Sequence, residues 1–287
     1  MAVVKKMLPS GTKKKSLKKA ASAPTDVTLP TEMEGPSERL SDYSILIFGT
    51  KKIGKSTLAS MFPKTLMLMF EPGGKGLTAF KRPVRSWQEA RQYLKLIKKD
   101  TTFDNVAIDT VDVAYKQCDK FVCQKMGIDH PSEADWGKGW SGVRDEFEWW
   151  TRELMASGKG VMFISHSVEK EIRKRNQQNY HRIQPTMANI GRDVIESMVD
   201  IWCYYDYEEG VRTLTIRGDD HITAGHRLQD RFLTPDGKEL LTINMGTSKE
   251  QAYANFIAAF NNEYVPPVES TDDTPKKKFK IKKKAAA

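Results

Sequence analysis

The chain has 287 residues, enough for one large domain or two small ones, and its 39% hydrophobic content supports a packed core. The formal charge of +9 is uneven: residues 1–24 and 275–287 each carry seven Lys and no acid, and setting those 14 charges aside leaves a body at −5. No run of 18 or more apolar residues occurs and the basic N-terminus lacks an apolar core, which argues against a membrane span and a secretory signal.

In chain order, residues 1–40 read as a disordered basic tail, low in complexity and with little to bury. Residues 44–48 are a short apolar run suited to a buried strand. They lead into Gly49-Thr50-Lys51-Lys52-Ile53-Gly54-Lys55-Ser56, the pattern G-x-x-x-x-G-K-[ST]. Residues 57–61 suit a helix, so the motif has the strand, loop and helix that it requires. In such a loop Gly49 and Gly54 permit tight turning, and successive N–H groups point at one anion. The helix start adds further unpaired N–H groups and a favourable dipole. Lys55 is expected to reach the β- and γ-phosphates of ATP, Ser56 to hold Mg²⁺, and Thr57 to lie near the α-phosphate.

Residues 65–70 form a second apolar strand. Ser86 and Glu89 are spaced as a capping box for a helix running to about Lys99. Asn105–Asp109 is a buried-strand pattern ending in an acid, which makes Asp109 the second candidate for Mg²⁺, flanked by Thr110 and Asp112. Val111–Met126 and residues 140–156 read as helices separated by a polar loop, with Trp140, Trp149 and Trp150 as core residues. Residues 161–164 are a fourth buried strand, and 167–187 are polar, basic and without clear periodicity. Asn189–Met198 is helical, residues 199–207 and 212–217 suit an antiparallel pair, and 253–260 belong to a last amphipathic helix. Cys118, Cys123 and Cys203 are odd in number and lack metal-site spacing, so they read as reduced thiols. Residues 265–287 are a second disordered Lys-rich tail, leaving a core at 41–264. Two readings of the tails stay open, an electrostatic grip on nucleic-acid phosphates and plain solubility. The fold expected is α/β, a mostly parallel sheet with helices on both faces and an antiparallel extension at one edge.

The order of these signals from about Tyr43 to Phe260 resembles the RecA-like recombination ATPases. More closely, it is similar to the phage RecA-like single-strand annealing proteins, which are AAA-type ATP-binding proteins. The resemblance rests on the loop at 49–57, Glu71-Pro72-Gly73 after the second strand, the Asp109 strand, and Ile164-Ser165-His166-Ser167. It implies a RecA-like P-loop core. It makes Glu71 the acid that orients the attacking water, in keeping with a carboxylate at the carboxyl edge of the sheet. It makes His166 a sensor of the γ-phosphate, with Lys55 completing the catalytic set, and Arg227 a residue that reaches a neighbour's γ-phosphate, with Arg217 as the competitor. The segment 169–184 is implied to face single-stranded DNA through Lys170, Arg173, Lys174, Arg175, Tyr180 and Arg182. Cations interleaved with flat rings suit backbone contact and base stacking without sequence readout.

The leading expectation is therefore a DNA-dependent ATPase, working as a ring or filament of identical subunits, that promotes annealing or strand pairing. A single-strand-binding protein is a further implied partner, and the host cytoplasm the implied location of a phage protein. An ATP-controlled loader with little turnover and a P-loop small-molecule kinase remain as alternatives, since 167–187 could also serve as a substrate lid.

Overall fold

The strands are apolar on both faces because both faces of the sheet are covered. The protein is described from a computed structural model, for residues 29–173, 179–208 and 210–267. The first half contains β1 (Ile45–Gly49), α1 (Lys55–Ser60), β2 (Thr65–Met69), β3 (Phe80–Pro83), α2 (Trp87–Ile97), β4 (Asn105–Asp109) and α3 (Val111–Met126). Then come α4 (Lys138–Met155), β5 (Gly160–Ile172), β6 (Tyr180–Pro185), α5 (Asn189–Met198) and β7 (Ile201–Glu208). The last elements are β8 (Val211–Thr215), β9 (Gly225–His226), β10 (Thr242–Gly246) and α6 (Lys249–Phe260).

The sheet order is β10-β8-β7-β1-β5-β4-β2-β3, with β6 added to β5 and β9 to β7. Pairing is parallel from β7 through β1, β5, β4 and β2 to β3, and antiparallel for β8, β10, β9 and β6. The mostly parallel sheet with an antiparallel edge is thus as expected. Successive strand residues point to opposite faces. Ile45, Ile47, Met67, Met162 and Cys203 pack with Leu58 of α1 and Phe256 and Phe260 of α6. Leu46, Leu68, Ile108 and Phe163 pack with Trp87, Phe147 and Trp150 on the other side. Each such buried side chain contributes roughly 1.5–3 kcal/mol, so the two layers fix which edge of the sheet carries the loops.

Local signals start the helices. The Ser86 hydroxyl accepts the Glu89 N–H at 3.3 Å, while the Glu89 carboxylate accepts the Arg85 N–H at 2.8 Å. The Ser248 hydroxyl accepts the Gln251 N–H at 3.1 Å, so α6 begins at Lys249 and takes in the expected 253–260. Besides the two-residue β9 and the β6 arm described below, β3 and β10 lie outside the sequence expectation. β3 is a short edge strand containing a proline and mostly exposed, so it carries no buried-strand pattern. β10 does alternate, burying Ile243 and Met245 against α6.

The segment 167–187 is corrected more strongly. Its described part is a hairpin in which β5 runs on past the sheet and pairs with β6 from Ser167↔Pro185 to Ile172↔Tyr180. Its cross-strand pairs mix polar and apolar residues, as in Val168↔Gln184 and Glu169↔Ile183, and it packs little in the core, which hides the strand period. Trp150 is core, but Trp149 is 40% exposed and lies under the Arg91 guanidinium, and Trp140 packs edge-on against His130. The cysteines are buried and free. Among the described residues no helix is long and apolar enough to cross a membrane. The described residues divide between Pro36 and Ser37: residues 29–36 are exposed, and the body begins at Ser37, ahead of the expected boundary at 41. The tails expected to be disordered lie, for 1–28 and 268–287, outside the described residues.

Candidate functional site

The carboxyl ends of β1, β2, β4 and β5 open on one cleft of about 760 Å³ lined by Lys52, Lys55, Ser56, Glu71, Asp109 and His166. The register explains the convergence, because Gly49 pairs with His166 and Met69 with Asp109. Asp109 is level with Ile164, two residues before His166, so the strands release their polar residues within two residues of one another. Of the residues expected to handle nucleotide and metal, Lys51, Lys52, Gly54, Lys55, Ser56, Thr57, Glu71, Asp109 and His166 line this cleft, while Gly49, Thr50 and Ile53 of the same loop and Arg227 do not.

The loop holds its shape by specific contacts. Gly54 has φ 112° and Lys52 φ 65°, so two residues of the loop are left-handed. Gly49 is needed for a different reason than turning. A Cβ there would lie 1.9 Å from the Tyr205 carbonyl oxygen on β7, so only glycine permits the β1–β7 approach. The Thr50 hydroxyl donates to Asp206 at 3.0 Å. The Arg212 guanidinium donates to the Ile53 carbonyl at 3.3 Å and to the Thr247 carbonyl at 3.2 Å. It also lies over the Tyr207 ring at 5.1 Å. Asp206 and Arg212 brace the loop from β7 and β8, and no local motif announces either of them.

Lys55 is buried, and its ammonium donates to the Gly49 carbonyl at 2.9 Å and the Thr50 carbonyl at 2.6 Å. Burial pulls its pKa down to about 8, against the opposing pull of Asp109, Asp112, Glu71 and Asp206. Asp109 is also buried, and the loss of water raises its pKa, partly offset by a hydrogen bond from Ser56. A hydroxyl and a carboxylate joined in this way beside a buried ammonium are the oxygen donor set suited to Mg²⁺. Ser56 and Asp109 are the residues that would hold it.

Glu71 is fixed at both oxygens. Oε1 accepts the Thr110 hydroxyl at 2.8 Å, and Oε2 lies 3.3 Å from His166 Nε2. Asp112 uses one oxygen to accept both the Ser165 hydroxyl, at 2.9 Å, and the Thr186 hydroxyl. Its other oxygen is buried without a partner among the described residues. Ser165 is on β5 and Thr186 directly follows β6, so Asp112 ties both arms of the hairpin to the start of α3. Thr110 and Asp112 were legible only as neighbours of Asp109; their holding roles depend on the topology.

The residues expected to meet DNA are differently placed. Lys170 is exposed and stands across from Arg182 in the hairpin. Arg173 is exposed and 3.8 Å from Glu171. Tyr180 packs edge-on against His221, and Arg182 donates to Tyr180 at 2.9 Å and to the Asp220 carbonyl at 2.8 Å. Those two side chains therefore brace the hairpin rather than hang in a loose loop. Lys174 and Arg175 lie outside the described residues. Arg227 donates to the Ser197 carbonyl at 2.6 Å, and its backbone N–H bonds to Asp200, which flanks the start of β1. It therefore stands at the amino edge of the sheet, about 15 Å from its own cleft by the length of β1. Arg217 is paired with Glu239 at 2.6 Å.

Comparison with known proteins found one family and two similar proteins. The family described as AAA domain matches residues 41–228. The SPbeta prophage-derived uncharacterized protein YorG of Bacillus subtilis (strain 168) is 25% identical over 132 residues. That alignment takes in 44% of this chain and 41% of the relative, so the chain spans less than half the length of the protein it matches. Among solved structures, the KaiC-like protein PH0186 from Pyrococcus horikoshii OT3 is 11% identical with a TM-score of 0.40, over 66% of this chain and 83% of that one.

Proposed function

We propose, for a chain that belongs to the AAA domain family, that it hydrolyses ATP while bound to single-stranded DNA and promotes annealing or strand pairing as an assembly of identical subunits. The observation that carries this reading is the joining of the cleft to the hairpin. His166, in contact with Glu71, is followed directly by Ser167, the first paired residue of the hairpin.

The triphosphate of ATP would lie along residues 49–57, with Lys55 turning from its two loop carbonyls toward the β- and γ-phosphates. Magnesium held by Ser56 and Asp109 would neutralise phosphate charge. Glu71 would orient a water in line with the γ-phosphorus and take its proton, as the new oxygen–phosphorus bond forms and the bridging bond to the β-phosphate breaks. Thr110 keeps the Glu71 carboxylate from rotating away. His166 would respond to the charge lost when phosphate leaves. On the hairpin, exposed Lys170 stands across from Arg182, whose guanidinium is held by Tyr180 and Asp220, so Lys170 is the cation there that would meet a DNA phosphate. Exposed Arg173, three residues further on and 3.8 Å from Glu171, falls by strand alternation on the other face from Lys170 and would be a separate point of contact. Arg227 is too far from its own cleft to act there, which favours a role toward a neighbour's nucleotide. A prophage-derived relative fits a phage setting, and with it the host cytoplasm.

The test is ATP hydrolysis with and without single-stranded DNA at low and moderate salt, beside Lys55→Ala. DNA stimulation that disappears in the variant is expected. Tight ATP binding with no stimulated turnover would move the assignment to an ATP-controlled loader. Phosphate transfer to a small molecule would establish a kinase.

A further inference from the structure

The far edge of the sheet carries a groove unrelated to the nucleotide cleft. β3 is the last strand, and the Val84 N–H donates to the Met69 carbonyl at 2.8 Å. Alternation along a parallel strand then turns the backbone of Phe80 and Arg82 toward β2 and that of Lys81 and Pro83 outward. Proline at an outward position loses no ladder bond, while Lys81 offers an N–H and a carbonyl to a further strand. Two adjoining cavities of about 570 and 440 Å³ lie between β3 and one stripe of α2, sharing Arg82, Tyr93 and Leu96. Phe80 and Leu96 are 64% and 63% exposed at this edge, and Phe103 packs edge-on against Phe80. Exposed apolar side chains beside an open strand edge mark a binding surface.

The charge around the groove selects the partner. Asp100 is bonded to Lys159 at 3.3 Å and to the Thr102 and Phe103 N–H groups, and Glu89 to the Arg85 N–H. Both acids of the rim are thus already used. The side chains of Arg82, Arg85 and Lys99 make no hydrogen bond or ion pair to the described residues. The groove therefore presents a net positive rim, in which Arg82, Arg85, Lys99 and Lys159 outnumber Glu89 and Asp100, around an apolar floor.

We propose that this groove docks an acidic peptide segment of another protein, extended along β3 with one large apolar side chain seated against Leu96 and Phe103. Backbone pairing to Lys81 gives the direction, Arg82 and Lys99 meet the carboxylates, and the apolar anchor gives specificity.

The test uses the full chain and a fluorescent Asp/Glu-rich synthetic peptide carrying one central Phe, followed by anisotropy. The Lys-rich ends attract any acidic peptide, so the readout is the difference made by the anchor and by the groove. Replacing the peptide Phe by Ala, or Leu96→Asp or Arg82→Glu in the protein, is expected to weaken binding about tenfold or more. Unchanged ATP-induced thermal stabilisation of both variants would show that they remain folded. Equal affinity for the Phe and Ala peptides, or no effect of Leu96→Asp, overturns the proposal. It is also overturned if the peptide fails to bind and Leu96→Asp converts a self-associated protein to monomer, since the face would then be an interface between copies.

Discussion

Lys55→Met separates what this lysine costs from what it does. Lys55 is 5% exposed, and burial lowers its pKa from 10.5 to about 8. That gap corresponds to about 3 kcal/mol for holding the charged form in the buried loop. Methionine has a similar length, keeps the packing and removes the charge, but forfeits hydrogen bonds to the Gly49 and Thr50 carbonyls. At about 1 kcal/mol for each of the two lost bonds, a net stabilisation of about 1 kcal/mol or less remains. Urea unfolding without nucleotide at neutral pH measures it. The sign with pH follows from linkage: between about 8 and 10.5 the folded chain binds fewer protons at this site than the unfolded chain. The wild-type penalty is therefore complete below that window and shrinks as pH rises through it, and the advantage of the variant shrinks with it. ATP at a hundredfold excess over its Kd should stabilise the wild type by about 2.7 kcal/mol and the variant not at all. An unliganded variant less stable than wild type would refute the idea that the charge is held at a cost. Equal stabilisation of both by ATP would refute Lys55 as a phosphate ligand.

Glu71→Gln keeps the bonds to Thr110 and the shape of the site but removes the base, so hydrolysis should fall about 10²–10⁴-fold with ATP affinity retained; equal loss of binding in a filter or calorimetric assay would make Glu71 a binding residue instead. Gly49→Ala places a methyl 1.9 Å from the Tyr205 oxygen and should cost about 3 kcal/mol or more, read as a lower urea midpoint or insoluble protein. A wild-type midpoint would contradict the β1–β7 approach. Arg212→Ala removes the brace on the Ile53 and Thr247 carbonyls and should weaken ATP binding about tenfold, equivalent to 1.4 kcal/mol, with little change in kcat; a fall in kcat alone would place Arg212 in the chemistry.

How legible the site was depended on where each residue's partners lie. The phosphate loop, Asp109 and the buried strands could be read because their information is local: a spacing of glycines, a lysine, and an apolar run ending in an acid. Glu71 and His166 needed the resemblance, since one acid after a strand and one histidine in a polar stretch say nothing alone. Asp206 and Arg212 were out of reach, because they support the loop only through strands that the fold places next to β1. The hairpin was missed for a related reason. Strand periodicity is visible when one face is buried, and β5 beyond His166 pairs with β6 outside the core. Gly49 was identified correctly but for the wrong reason, since a sequence shows a glycine and not the carbonyl that excludes its Cβ.

The way β5 is used gives the proposed coupling a physical form. Residues 160–166 of this strand lie in the sheet, fixed by pairing to β1 and β4, and residues 167–172 lie in the hairpin. His166 is the last residue paired to β1 and touches Glu71, so a charge change in the cleft acts at the junction of a rigid and a projecting segment. Rotation there would ordinarily be absorbed by the hairpin base. Asp112 opposes this, because a single carboxylate oxygen accepts hydroxyls from Ser165 before the junction and from Thr186 after the returning arm. The base is closed on both arms, so a shift of His166 would tilt the hairpin as a unit instead of fraying it. Asp112→Asn keeps one acceptor but removes the charge that strengthens both bonds. It should leave Glu71-dependent basal hydrolysis near the wild-type rate while lowering its stimulation by single-stranded DNA severalfold. Equal loss of basal and stimulated rates would show that Asp112 serves the cleft alone, and the hairpin would then have no mechanical link to the nucleotide through this residue.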